Sequence, residues 1–187
     1  MKKAYIITGP ESSGSVYISK IIAYVLGETK DMNEWGGYGF CKKNEPGNND
    51  IIILHRSQPY LQHDKYCDLN EFKEMFKDYE LFFILCTRYH MISNHSKKNR
   101  FQRTEEDLVD NYDISKKILG EITKTEKFFI WNYETMLYLN ESYFDLLYNF
   151  LEIKTENRYY PTDIFDGNIK YIKTHKTTRK QRGNTDE

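Results

Sequence analysis

The feature that most constrains this chain is a glycine loop between a strand-like run and a helix-like run near the N-terminus. Residues 4–8 are apolar and favour a β-strand, residues 9–15 are mostly small, and residues 16–26 favour a helix that Gly27 can end. This order suits phosphate binding, because glycines let backbone N–H groups converge and the helix N-terminus adds a partial positive charge. The stretch therefore predicts an anion site at the loop.

The spacing from Gly9 to Gly14 is that of a P-loop, but the residues that follow differ from those of nucleotide triphosphatases. Ser15 and Val16 stand where Lys and Ser/Thr would contact the β- and γ-phosphates and Mg²⁺. The sequence thus indicates a phosphate cradle without the usual chemistry of ATP and Mg²⁺.

Length and composition favour one folded domain. The chain has 187 residues, of which 39% are hydrophobic, and its net charge is -1. We expect a single domain at residues 1–172 and a basic, flexible tail at residues 173–187. No apolar run reaches the roughly 18 residues of a membrane span, and the first strand leaves no space for a signal segment, so we expect a cytoplasmic protein. Its three cysteines share no metal-ligand spacing and are expected to be reduced.

Strand-like and helix-like segments alternate along the rest of the chain. Further strands are predicted at residues 51–54, 80–87 and 127–132, and further helices at residues 68–77, 104–120 and 143–151. Alternation of this kind indicates βαβ units with right-handed crossovers. We therefore predict a three-layer α/β/α P-loop fold with a central parallel sheet of about four to five strands.

Polar residues follow two of the predicted strands directly. His55 and Arg56 come after the second strand, and Arg88 comes after the third. In open α/β sheets ligands bind beyond the carboxyl ends of the strands, so these side chains are expected beside the glycine loop. His55 is then a candidate general base, because the pKa of an unperturbed histidine lies near neutrality. A purely structural histidine is the alternative.

Three other segments have open interpretations. Residues 28–49 include Trp35 and Phe40. A segment of this length predicts either an active-site flap or a long loop whose two aromatic side chains pack against the core. The basic run at residues 97–103 is typical of a solvated face, although near an anion site it could steer a polyanion. The basic tail is either a disordered, solubilising segment or a segment that contacts an acidic partner or a phosphate.

Several motifs, taken in order, resemble those of the P-loop sulfotransferases that use 3′-phosphoadenosine-5′-phosphosulfate. Ser13-Gly14-Ser15 resembles the family's Ser-Gly-Thr in the 5′-phosphosulfate loop, and Arg88 followed by Ser96 resembles its 3′-phosphate pair. The patterns Gly-Pro-Glu-Ser-Ser-Gly-Ser, His-Arg-Ser-x-Pro and Asp-Gly-Asn-x-Lys-Tyr are similar to those of small bacterial and viral sulfotransferase-like proteins.

This resemblance implies transfer of a sulfuryl group to a hydroxyl acceptor, with a carbohydrate as the expected acceptor. It implies adenosine 3′,5′-bisphosphate as the product and no metal, and we expect neither a nucleic-acid partner nor a membrane span. By the same resemblance His55 is the base, and Arg88 and Ser96 hold the 3′-phosphate. The residues expected at the 5′ end of the cofactor are Glu11, Ser12, Ser13, Gly14, Ser15 and Val16.

One position departs from the family pattern. Sulfotransferases usually have a lysine just before the Ser-Gly pair, and here that residue is Ser12. Losing a donor that stabilises the transition state can cost about 10²–10³ in rate. Arg56 and Lys20 are candidate replacements, and Arg56 is expected to lie closer to the loop.

The alternatives to a sulfotransferase are a binding protein of the same fold without turnover and a nucleoside or nucleotide kinase.

Overall fold

The protein is described here from a computed structural model, in which residues 2–32, 49–58 and 68–172 are described. The aromatic part of the predicted flap, the tail at residues 173–187 and two of the three cysteines lie outside the described residues. The third, Cys86, is a buried free thiol.

Strands and helices alternate through the described chain. The strands are β1 Lys2–Pro10, β2 Ile51–Gln58, β3 Tyr79–Thr87 and β4 Phe128–Asn132. The helices are α1 Ser15–Val25, α2 Leu69–Met75, α3 His90–Phe101, α4 Glu105–Thr125, α5 Tyr133–Leu139 and α6 Glu141–Phe150, followed by a 3₁₀ turn at Thr155–Asn157. The four strands pair in parallel in the order β2-β1-β3-β4, with helices on both sides, so the predicted α/β/α fold with a parallel sheet is confirmed.

Strand β1 lies inside the sheet and is buried on both faces. Tyr5 and Ile7 belong to the core that β1 forms with α1 and α6, whereas Ala4 and Ile6 belong to the core on the opposite face with α2 and α4. A strand that is covered on both faces needs apolar residues at every position, which is why the run reads as continuously apolar. The sheet therefore fixes where the loop after β1 begins.

Two helices differ from the sequence-based expectation. Helix α4 continues past Gly120 to Thr125, because Ile122 is fully buried against the sheet and its burial favours the extra turn. Helix α5 was not predicted at all. It begins directly after β4, where the Asn132 side chain accepts a hydrogen bond from the Thr135 backbone N–H at 2.8 Å. Within the described residues, no helix has the length and apolar character needed to cross a bilayer.

The end of β1 approaches β3 more closely than a side chain would allow. A Cβ atom on Gly9 would lie 2.1 Å from the backbone oxygen of Cys86, whereas a Cβ on Gly120 would meet nothing within 4 Å. A backbone oxygen cannot move aside without distorting the sheet. Glycine is therefore required at the start of the loop and is dispensable in α4.

These two glycines give a matched pair of substitutions. Gly9→Ala should lower the free energy of unfolding by more than about 2 kcal/mol, because the new methyl group overlaps the β3 backbone. Gly120→Ala should raise it by about 0.5–1 kcal/mol, because alanine restricts the unfolded chain and suits a helix interior. Urea unfolding of the two variants beside the wild type measures both effects. Equal stability of the two variants would contradict the close approach of β1 and β3.

Candidate functional site

The loop after β1 is compact and is stabilised by its own backbone. The Ser13 N–H donates to the Pro10 carbonyl at 3.2 Å, and both Ser12 and Gly14 adopt positive φ angles, of 65° and 86°. A Cβ on Gly14 would also lie only 3.0 Å from the Tyr133 ring. Left-handed residues in a turn point successive backbone N–H groups into the same space, which is the geometry of an anion-binding nest.

Helix α1 begins at this loop without a side-chain cap. Gly14 is its N-cap and contributes no side chain, although its carbonyl accepts from the N–H groups of Tyr17 and Ile18. The N–H groups of Ser15 and Val16 have no acceptor within the helix, because the first turn of any α-helix lacks partners. The open helix end thus presents N–H donors and a partial positive charge at the carboxyl rim of the sheet.

His55 contacts the first residue of that helix. Its Nε2 lies 2.9 Å from the Ser15 hydroxyl, because β2 pairs with β1 in a register that sets His55 beside Ile7. Burial, and next the charge of Arg56, lower the pKa of His55 to about 4. The imidazole is therefore neutral at pH 7 and can accept a proton.

Arg56, like His55, lies within β2 and not after it as predicted, and it is paired with Thr8 of β1. Its carbonyl accepts a hydrogen bond from the Thr8 hydroxyl at 2.9 Å, in register with the strand pairing. Its positive charge is close enough to His55 to lower the pKa of the imidazole. Lys20 belongs to the second turn of α1. A cation therefore accompanies His55 at the rim.

Arg88 ties the loop to the C-terminal part of the described chain. Its Nε and one terminal nitrogen donate to the Asn168 side-chain oxygen at 2.8 and 2.5 Å, and the other terminal nitrogen donates to the Ser12 carbonyl at 3.2 Å. The guanidinium also lies over the Tyr133 ring, 4.5 Å from its centroid. Arg88 is thus held in one orientation at the end of β3.

Ser96 is brought into the same cluster as Arg88 through Tyr171. Burial raises the pKa of Tyr171, but a hydrogen bond with Ser96 and the charges of Lys170 and Arg88 outweigh burial and bring that pKa below its usual value. An environment that lowers the pKa of a phenol is one that stabilises negative charge. The Arg88 guanidinium also lies over the Tyr171 ring, 6.0 Å from its centroid, so Arg88 and Ser96 both border Tyr171.

Glu11 is bound to residues of α3 and of the segment between α3 and α4. Its carboxylate forms an ion pair with Arg103 at 3.0 Å, and its carbonyl accepts from the Ser93 hydroxyl at 2.9 Å. These contacts fasten the loop to α3 and to the segment before α4. The negative charge of Glu11 is thereby balanced by a neighbouring cation, and its role in cofactor binding stays a prediction.

Three residues at the site were not expected from the sequence. Tyr133 follows β4 and its hydroxyl accepts from the Gly167 N–H at 3.0 Å, while Glu134 accepts from the Tyr89 N–H at 3.1 Å and from the Asn168 amide at 3.0 Å. The signal for Tyr133 and Glu134 was available, since both follow a predicted strand as His55 and Arg56 do. Asn168 was identified only as part of a turn.

Comparison with protein-family models gave no matching family, and comparison with curated proteins gave no match. Within the described ranges, no group of three or more His, Cys, Asp and Glu side chains is arranged to hold a metal ion.

The lowered pKa of His55 predicts a specific pH dependence of stability. The native imidazole titrates near pH 4 and the unfolded one near 6.5, so the unfolded chain binds more protons between these values. His55 should therefore stabilise the fold fully above pH 6.5, and this stability should be lost as the pH falls towards 4, by up to about 3 kcal/mol. Urea unfolding at a series of pH values measures it.

The control for this prediction is His55→Gln, which keeps a polar side chain and cannot titrate. The difference in unfolding free energy between wild type and variant should change between pH 6.5 and 4 and be constant above pH 7. A constant difference over the whole range would show that the pKa of His55 is not lowered.

Proposed function

We propose that this chain binds 3′-phosphoadenosine-5′-phosphosulfate at the carboxyl rim of its sheet and transfers the sulfuryl group to a hydroxyl acceptor, a carbohydrate. The contact between His55 Nε2 and the Ser15 hydroxyl, at 2.9 Å, carries the proposal. It brings a neutral imidazole to the open N-terminus of the helix that follows a glycine loop. A base beside an anion cradle is what sulfuryl transfer to a hydroxyl requires.

The loop suits the 5′ end of the cofactor. The backbone N–H groups of Ser15 and Val16 lack helical partners, and Gly14 adds no side chain that would fill the space above them. The Ser12 hydroxyl is buried without a hydrogen-bond partner among the described residues. These groups would hold the anionic 5′ end, chiefly through the backbone.

The cluster at the end of β3 suits the 3′-phosphate. Arg88 uses three of its five N–H groups on Asn168 and Ser12, so two remain for a phosphate oxygen. The lowered pKa of Tyr171 supports the same assignment, because Ser96 and Arg88 are among its causes. A 3′-phosphate would be held between Arg88 and Ser96.

The chemistry then depends on a proton acceptor and on positive charge. The cofactor supplies an activated sulfuryl group when it is bound. His55 Nε2 takes the proton of the acceptor hydroxyl, since the imidazole is neutral at pH 7. Arg56 and the N-terminus of α1 stabilise negative charge at the loop, where the usual lysine is replaced by Ser12.

A second candidate is a nucleotide-binding protein of this fold without turnover. It is favoured by Ser12, which carries no charge at the position of the expected lysine and whose carbonyl takes up one N–H group of Arg88. Binding of the bisphosphate depends on the loop and on Arg88, whereas turnover depends also on a cation at the leaving group. The two candidates therefore differ in transfer and agree in binding.

Adenosine 3′,5′-bisphosphate should stabilise the protein without Mg²⁺. At a hundred times its Kd a ligand adds about 2.7 kcal/mol, which for a chain of this size raises Tm by about 5–10 °C. Thermal unfolding with the bisphosphate measures the shift, and adenosine 5′-monophosphate, which lacks the 3′-phosphate, is the control and should give a smaller one. Stabilisation by ATP with Mg²⁺ and none by the bisphosphate would favour a kinase instead.

Transfer should depend on His55 and Arg56. His55→Gln should lower the rate about 10²–10⁴-fold because it removes the base, and Arg56→Ala about 10²–10³-fold because it removes a stabilising charge. The measurement is labelled sulfate passing from the cofactor to a glycan mixture. Lys20→Ala, one turn further along α1, is the matched control and should retain the rate.

The transfer assay tests the role of Arg56 and distinguishes an enzyme from a binding protein. Full transfer by Arg56→Ala would exclude Arg56 as the replacement for the loop lysine. Bisphosphate binding by the wild type without transfer to any acceptor would favour the binding protein.

A further inference from the structure

A cavity lies on the α4 side of the glycine loop. It has a volume of about 280 Å³, is bordered by the loop, the end of β3, α3 and α4, and has a largely apolar lining that includes several polar residues. Four of its polar lining residues are buried, namely Ser13, Ser93, Lys97 and Ser115, and three at its edge are exposed, namely His90, Tyr112 and Lys116. We propose that this cavity is a binding site for a small oxyanion, a carboxylate, sulfate or phosphate group, separate from the open end of α1.

Lys97 supplies the first argument. Its side chain was expected on a solvated face, yet the residue is only 3% exposed. Within the described residues its ammonium makes one hydrogen bond, to the Asn94 side-chain oxygen at 3.5 Å. An ammonium has three donors, and a buried one is costly unless it is paired. An oxyanion in the cavity would provide the missing acceptors.

Two serine hydroxyls supply an independent argument. Ser13 and Ser115 are 1% and 2% exposed, and neither hydroxyl has a hydrogen-bond partner among the described residues. Buried polar groups are nearly always hydrogen-bonded, so two orphaned hydroxyls on residues that line one cavity point to a ligand that accepts from both. One residue belongs to the loop and the other to α4, so the two residues line the cavity from different walls.

The charge of the cavity selects an anion. Lys97 and Lys116 both line it, and Glu11, whose negative charge acts on Lys97, is already paired with Arg103 at 3.0 Å. Burial lowers the pKa of Lys97, with Glu11 opposing and Arg103 adding to this effect, and a bound oxyanion would favour its charged form. Pro10 and Leu119 supply apolar wall for the remainder of a small organic molecule.

This site does not depend on the proposed function. His55 and the N-terminus of α1 do not line the cavity, and Lys97, Ser115 and Lys116 have no part in the cofactor site described above. The two sites share Ser13 and Arg88, so they adjoin at the loop. A protein that fails to bind the bisphosphate could still bind an oxyanion here, and the converse also holds.

The test uses thermal unfolding of the full chain at constant ionic strength with four probes: inorganic sulfate, inorganic phosphate, glucuronate and neutral glucose. The wild type should be stabilised by at least one of the three anions and not by glucose. The anion that acts at the lowest concentration identifies whether the cavity takes a free ion or an organic acid. No anion-dependent stabilisation beyond that of chloride would overturn the proposal.

Ser115→Ala separates ligand binding from folding. Without a ligand its Tm should equal or exceed that of the wild type, because an unpartnered buried hydroxyl contributes no hydrogen bond. Its affinity for the anion should fall about tenfold, since a hydrogen bond to a charged group is lost. Unchanged affinity, or a loss of stability without ligand, would count against the site.

Lys97→Gln should lower the affinity for the anion by more than Ser115→Ala does, about 10–100-fold. Lys98→Gln is the matched control. Lys98 is the next residue of α3 and pairs with Glu105 on the surface, so its variant should bind as the wild type does. The same titrations are repeated with saturating adenosine 3′,5′-bisphosphate. Mutual exclusion of anion and bisphosphate, with Ser115→Ala weakening both, would overturn the claim of a separate site.

Discussion

The hydrogen bonds of one guanidinium hold the rim of this protein together. Arg88 at the end of β3 binds the Ser12 carbonyl in the loop and the Asn168 side chain from the C-terminal turn. Asn168 in turn binds Glu134 after β4. Because a guanidinium is a rigid, planar fork, its three bonds fix directions as well as distances. The loop after β1, the ends of β3 and β4 and the last described turn are thus positioned by a single side chain.

The acidic side chains around this centre are bound to neighbouring groups of the protein. The carboxylates at the rim are already engaged, Glu11 by Arg103 and Glu134 by the Tyr89 backbone and Asn168. Burial, and next the positive charge of Arg56, keep the imidazole of His55 neutral. An anion bound beside His55 would raise the pKa of the imidazole, because it would offset part of that positive charge. The base would therefore be stronger with a nucleotide in place than without it.

The sequence predicted the parts of the fold that depend on local patterns. Continuous apolar runs identified all four strands. The end of β2 was placed too early, because the strand continues through His55 and Arg56 to Gln58, whereas Arg88 follows β3 directly as predicted. The bond from Arg88 to Asn168 spans 80 residues and leaves no local signal, so it could not be predicted. Helix α5 was missed because its cap, Asn132, is also the last residue of β4.

Lys97 shows a different limit of sequence reasoning. A run of basic residues usually faces solvent, and Lys98 does so, but helical geometry turns its neighbour about 100° away and into the protein. The tertiary surroundings of α3, which include the loop after β1 and α4, decide which lysine is buried. Burial of a charge depends on tertiary structure, so the sequence of the basic run does not predict which of its lysines is buried.

The absence of a side-chain cap on α1 has a consequence for how the protein fluctuates. A glycine N-cap is less stabilising than a Ser, Asp or Asn cap by about a few tenths of a kcal/mol, so the backbone amides of the first turn exchange with solvent sooner than those of the middle of the helix. With glycine as its N-cap, the first turn of α1, which lies at the candidate site, is thus less stable than the middle of the helix. Occupancy of the loop by an anion would act as the cap that the chain itself does not provide, and the local order of α1 would then report whether the site is filled.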